Sequence, residues 1–343
     1  MVTNMKVTMK EIAEKLNISI NAVSIALNDK VGVSDEMRLR ILRTADELGY
    51  INHKREYLSV FSKSNICVMM QSYYANTGHF YSTVLQSIID EAKLLGYFSI
   101  LSYFEDNQFS IPESVEERKV AGIIVIGKIS EHNLTVLSQM AIPIVLVDYT
   151  SLGIPLDCVL THNKQGGYMM CNYLIERGYR KIGFFGDLDY SFSFQDRFWG
   201  YRESLLKNKI VRKENIDEYI QKYSFLKDIE SFVLSHQEDE IKRILQSKEL
   251  PEVLICANDS NAYLVIKVLK KIGLKVPDDI GVVGFDDTPL CTRIIPAITT
   301  IQVQKELMGV RAVSNLVDRI HRKDNIPVTS LLSVKIVERK SIK

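Results

Sequence analysis

Several common features are missing from this sequence, and each absence removes a class of protein. No apolar run in the 343 residues is long enough to cross a bilayer. Residues 1–16 carry Lys6, Lys10, Glu11, Glu14 and Lys15 where an export signal needs an apolar segment, so a cytoplasmic protein with no membrane partner is expected. The five cysteines (Cys67, Cys158, Cys171, Cys256, Cys291) are odd in number and contain no C-x-x-C pair, which points to buried thiols rather than a disulfide framework. Six histidines without metal-ligand spacing lead to the expectation of no metal and no cofactor. G-x-S-x-G, H-E-x-x-H and G-x-G-x-x-G are all absent, and no nucleophile–base pair presents itself, so an enzyme is not expected. Gly122 to Ile129 nearly matches a phosphate loop, but Ile129 replaces the required hydroxyl and the spacer reads as a buried strand. Charge of either sign is also lacking: 43 basic residues oppose 42 acidic ones, and residues 1–63 hold ten against eight. Charge alone therefore makes no case for nucleic acid.

Patterning makes that case instead. Thr8 and Glu11 are spaced as a capping box, and Ile12, Ala13 and Leu16 follow on one helical face. Asn17 can end that helix and Ser19 can cap a second over Asn21–Leu27. Its apolar face is Ala22, Val23 and Ala26, with Ile20, Asn21, Ser24 and Ile25 pointing outward. Ser34 opens a third helix carrying Met37, Ile41, Leu42, Ala45 and Leu48. Two helices joined by a tight turn and backed by a third make a helix-turn-helix, whose second helix enters the major groove. Periodicity alone also allows a small helical bundle with no ligand. Lys6, Lys10, Lys30, Arg38, Lys54, Arg55 and Lys63 are the cations available for phosphates.

Beyond residue 64 the chain alternates apolar strand-like runs with amphipathic helical stretches. The runs are 66–70, 98–104, 122–126, 144–149, 158–161, 181–187, 218–223, 252–259, 280–287 and 299–303, and SLLSVKIVERKS reads as one final strand. Helical patterns fall near 80–95, 130–139, 164–177, 194–208, 228–247, 260–272 and 305–322. The expected fold class is α/β: parallel sheets covered on both faces, in two doubly wound halves.

Residues 8–50 resemble the headpiece of the lac-repressor family of bacterial transcription regulators, through T-M-K-E-I-A-E-K-L-N-I-S, N-A-V-S-I-A-L-N-D-K-x-G-V-S and R-x-x-I-L-x-x-A-x-E-L-G-Y. V-P-D-D-I-G-V-V-G-F-D-D, A-N-D-S-N-A and I-P-A-I-T-T-I-Q resemble the same family's bilobal, periplasmic-binding-protein-like core. The resemblance implies a headpiece over 1–50, a hinge over 51–64 and an effector-binding, dimerising core over 65–343. The expected lobes are 65–162 with 296–325, and 163–290 with 326–343. It implies a repressor that binds double-stranded operator DNA as a homodimer, or a tetramer built from it, under control of a small sugar-like effector. The alternative is a catabolite-control type of regulator that uses a partner protein as corepressor. Base-reading positions fall at Ile20, Asn21 and Ile25, within a DNA-contacting set that adds Thr8, Ser19, Ser24, Asn28 and Lys30. The hinge departs from the family's Y-x-P-N-x-x-A-x-x-L pattern: 50–58 lacks the Pro and Ala and is one residue shorter, leaving Leu58 as the minor-groove wedge.

Ligands of open α/β sheets lie at the carboxyl ends of strands. Asp148, Asn258 and Asp286 end apolar runs, and Arg197 opens a helix after another. By resemblance these four hold the effector, while Tyr73, Phe80, Tyr149 and Phe192 are candidate aromatic walls for a polyol ring. Each has a duller reading: a strand-end Asn or Asp often only caps the next helix, and Asp287 reads as structural. Asp228, Glu230, Glu238, Asp239 and Glu240 read as a solvated acidic face.

Overall fold

The computed structural model describes residues 8–27, 32–48, 50, 65–76, 79–321 and 326–343. They group into two units, one of residues up to Asn65 with Pro112–Ala121, the other of Ile66–Ile111 with Gly122–Lys343. In the first unit, helices α1 (Met9–Leu16), α2 (Ile20–Leu27) and α3 (Asp35–Glu47) enclose Ile12, Ala13, Val23, Ala26, Ile41 and Ala45. The expected caps are present. Thr8 and Glu11 form a capping box, Ser19 Oγ accepts from Ala22 N at 3.1 Å, and Ser34 Oγ accepts from Met37 N at 3.3 Å. Asn17 ends α1 in the left-handed region at φ 53°, which Asn tolerates because its short polar side chain adds little steric cost.

The second unit is built on two sheets. One orders its strands β10 (Thr329–Leu332), β5 (Asp157–Thr161), β4 (Ile144–Val147), β3 (Gly122–Ile126), β1 (Asn65–Gln71) and β2 (Phe98–Phe104). The other runs β11 (Lys335–Val337), β9 (Thr299–Gln302), β8 (Gly281–Asp286), β7 (Val253–Cys256) and β6 (Ile182–Phe185). Neighbours from β10 to β1 and from β9 to β6 pair in parallel, whereas β11 runs antiparallel to β9. Strands β3, β4, β6 and β7 are buried at every position, as Val/Ile/Leu runs covered by helices on both faces must be. β3 occupies the near-phosphate-loop motif, so its spacer is a buried strand. All five cysteines are buried and unpaired.

Four expectations need correction. Residues 218–223 belong to the helix Ile216–Tyr223, because Ile216, Ile220 and Tyr223 bury one helical face; strand-like pairing begins only at Phe225, whose N–H donates to Phe184 O. The stretch 228–247 is two short helices, Glu230–Leu234 and Glu238–Gln246. SLLSVKIVERKS supplies two strands in different sheets, β10 and β11. Finally, β9 lies in the second sheet and β10 in the first, so the chain crosses between sheets just after Gln302 and just after Leu332, not near 296 and 326. Burial explains the exchange. Thr299, Thr300 and Ile301 are wholly enclosed beside β8, and β10 is drawn to β5 where buried Asp157 accepts from Val328 N and from Arg319.

Candidate functional site

The outward face of α2 carries the residues expected to read DNA. Val23 and Ala26 face the core, leaving Ile20 half exposed at 50% and Asn21 exposed. Ser24 and Ile25 are half-buried, with Ile25 Cδ1 set against Gly32 rather than fully outward. Thr8 and Ser19 spend their hydroxyls on the caps of α1 and α2. Arg38 is not available to phosphates: it is 8% exposed, and its Nη1 donates to Ala26 O at 3.1 Å and to Ile25 O at 3.4 Å, closing the end of α2. Lys10 is exposed and 3.9 Å from Glu14. Asn28, Lys30 and Leu58, with Lys6, Lys54, Arg55, Lys63 and the hinge 51–64, lie outside the described residues.

In the second unit, all eight residues expected at a ligand site line one cavity of about 730 Å³: Tyr73, Phe80, Asp148, Tyr149, Phe192, Arg197, Asn258 and Asp286. Backbone geometry delivers the carboxylates. Asp148 follows β4 at φ 57° and Asp286 ends β8 at φ 109°, conformations that turn the chain where each strand stops.

Arg197 is the centre of the polar network. It lies on the helix Phe192–Lys207, which crosses the helix Asn163–Glu176 so closely that a Cβ on Gly167 would sit 1.9 Å from Arg197 O, and one on Gly200 2.0 Å from Lys164 O. Glycine at both points is what seats the arginine. The residue is 4% exposed, with Nε donating to Asn163 Oδ1 at 2.9 Å, Nη1 to Ala257 O at 2.6 Å and Nη2 to Asp286 Oδ1 at 3.1 Å. The guanidinium lies 3.8 Å above the centre of the Phe285 ring.

Burial dominates the electrostatics. Asp148 accepts from Tyr81 Oη at 2.9 Å and Ser193 Oγ at 3.4 Å, yet burial pushes its carboxyl up to about 6 despite nearby Arg197. Asp286 is raised by the same cause. Asp259, 1% exposed, accepts from Thr288 N, Thr288 Oγ1 and Thr300 Oγ1, and burial followed by the Asp286 charge raises it to about 7. Lys305 Nζ donates to the carbonyls of Asp286 and Asp287 at 2.5 and 3.2 Å. Asn258 also caps its helix, Oδ1 accepting from Asn261 N at 2.8 Å, so the duller reading and the pocket position coexist in one residue. Asp287 is structural as expected, held by Arg339 and Gln302.

Sequence reasoning missed Glu230, Tyr190 and Ser193, which also line the cavity. Glu230 is a correction: assigned to a solvated face, it is 3% exposed, accepts from Asn261 Nδ2 at 2.7 Å, and is raised to about 7 by burial. Tyr74 and Tyr81, from the aromatic and polar run that follows β1 in the sequence, also line the cavity, with ring centroids 4.4 Å apart. Among the described residues no cluster of His, Cys, Asp and Glu could hold a metal, and no helix is long and apolar enough to cross a membrane.

Comparison with known proteins agrees on both units. The family model described as bacterial regulatory proteins, lacI family, matches residues 8–53, and that of a periplasmic binding protein-like domain matches residues 171–342. The HTH-type transcriptional repressor PurR of Vibrio atlanticus (strain LGP32) is 27% identical over 343 residues, covering 98% of each chain. The ribose operon repressor of Haemophilus influenzae is 26% identical over 340 residues, again 98% of each. Among solved structures, the lac repressor dimer bound to operator and the anti-inducer ONPF matches with TM-score 0.69 at 23% identity, over 98% of this chain and 99% of that one.

Proposed function

The chain belongs to the lacI family of bacterial regulatory proteins and is a DNA-binding transcription regulator, and on that premise we propose a dimeric, cytoplasmic repressor whose operator affinity is set by a sugar-like effector in the cavity. One observation carries the effector reading: Asp148, Asn258 and Asp286, from strand ends in both sheets, and Arg197, from the helix Phe192–Lys207, converge on a single cavity with aromatic walls. Carboxylate and amide oxygens accept from vicinal hydroxyls, the guanidinium donates, and ring faces cover C–H surface. The relatives named as a ribose operon repressor and a lac repressor support the same class of ligand.

Operator reading is assigned to Ile20, Asn21 and Ile25, with Asn21 pairing to adenine and the isoleucines meeting thymine methyls. Thr8, Ser19, Ser24, Asn28 and Lys30 complete the contact set. Residues 1–50 form the headpiece, and the hinge 51–64 presents Leu58 to the minor groove. Leu94, Phe98, Leu101 and Tyr103, exposed on and beside edge strand β2, support pairing of two copies through the first sheet.

Selection of random duplex DNA by the purified protein, at two salt concentrations, tests the regulator. Recovery of an inverted repeat whose affinity falls steeply with salt is the expected result. Failure to enrich any sequence, with free sugars present or absent, would overturn it. Enrichment that appears only when a partner protein is added would favour the corepressor alternative.

A further inference from the structure

The cavity is acidic in a way its expected polar set did not suggest. Asp148, Asp189, Glu230, Asp259 and Asp286 line it against Arg197 and Lys128, with His79 and His236 the other titratable nitrogens. Most of this charge is already engaged. Asp286 holds Arg197, Asp259 accepts from Thr288 and Thr300, and Asp148 accepts from Tyr81 and Ser193. Glu230 has an oxygen to spare. The residue is 3% exposed yet borders the cavity, Oε1 accepts from Asn261, and no hydrogen bond from a described residue reaches Oε2. Asp187 adds a like charge nearby.

A carboxylate oxygen on the cavity wall without a protein donor can take one from the ligand, and a local excess of negative charge favours a cationic donor. We propose that the cleft selects a polyol bearing a basic nitrogen, such as an amino sugar, whose ammonium group binds Glu230. The aromatic rings of the walls suit the same ligand, since they cover C–H surface and attract cations. Phosphorylated sugars are excluded by the carboxylates. This inference rests on the cavity being the effector site.

Calorimetric titration of the full chain with glucosamine, galactosamine and mannosamine, each beside its hydroxyl parent and that parent's 6-phosphate, tests it. One amino sugar is expected to bind about tenfold or more tighter than its parent, with no binding of the phosphate. Glu230→Gln retains the carbonyl that Asn261 needs; it is expected to remove the preference for the amino sugar over its parent. The ligand comparison on the unsubstituted protein stands even if that variant does not fold. Parents that bind as tightly as their amines, a phosphate that binds tightest, or a preference surviving Glu230→Gln would overturn the inference and leave the polyol reading intact. Binding by no sugar in the set would remove both.

Discussion

The headpiece and the cleft deploy their polar residues in opposite ways. In the headpiece, stability comes from a small apolar cluster and three capped helices, while Asn21 and Ile20 stand on a surface that supports nothing else. In the cleft, Arg197, Asp148, Asp286 and Asn258 are bonded into the fold itself. If these residues act as proposed, recognition of DNA can change by single substitutions at little cost to folding. Recognition of the ligand then cannot, because the same atoms hold the domain together.

The sharpest way to break this comparison is Arg197→Ala. Removing one member of a buried, hydrogen-bonded pair costs about 3–5 kcal/mol, so the core should melt much earlier and lose its ligand response together. An unchanged core melting temperature would show the network to be ornamental. Next comes pH. A carboxyl whose folded pKa lies above its unfolded value keeps its proton longer in the fold, so it costs nothing below the unfolded value and its full amount above the folded one. For Glu230, raised from 4.5 to about 7 by burial, that cost is on the order of 3 kcal/mol. Asp148 acts in the same direction up to about pH 6. Stability measured by thermal unfolding should fall as pH rises from about 4 to about 7, and Glu230→Gln should flatten the slope. Asn21→Ala should cost about 1–3 kcal/mol of specific binding and relax one operator position, with the headpiece melting unchanged. A lowered melting temperature in that variant would erase the contrast. Smallest of all, Ser34→Ala should remove about 1 kcal/mol of headpiece stability without altering the selected DNA sequence.

Much of the site was legible because strand-end residues have few places to go. A polar residue ending a buried strand meets either the next helix or the cleft, and Asn258 meets both. Glu230 was illegible since its neighbours Asp228, Glu238, Asp239 and Glu240 have the composition of a wetted surface, and only the folded chain inserts one of them. Ile216, Ile220 and Tyr223 were misread for a related reason: aromatic and β-branched content favours a strand, whereas their spacing buries a helix face. Exchange of β9 and β10 between sheets escaped notice because the contacts that fix it, β9 enclosed beside β8 and Val328 held by Asp157, lie far apart in the sequence.

The bond from Ser193 to Asp148 joins the helix Phe192–Lys207 to the end of β4 through a single oxygen on the cavity wall, one that the proposed ligand would also use. Ligand and latch are thus rivals for one socket. A ligand long enough to reach both sides replaces the latch and keeps the lobes fastened; one that only caps Asp148 unfastens them. On the proposed function, two molecules of equal affinity would then send opposite signals, the sign of the response following the ligand's span and not how tightly it is held.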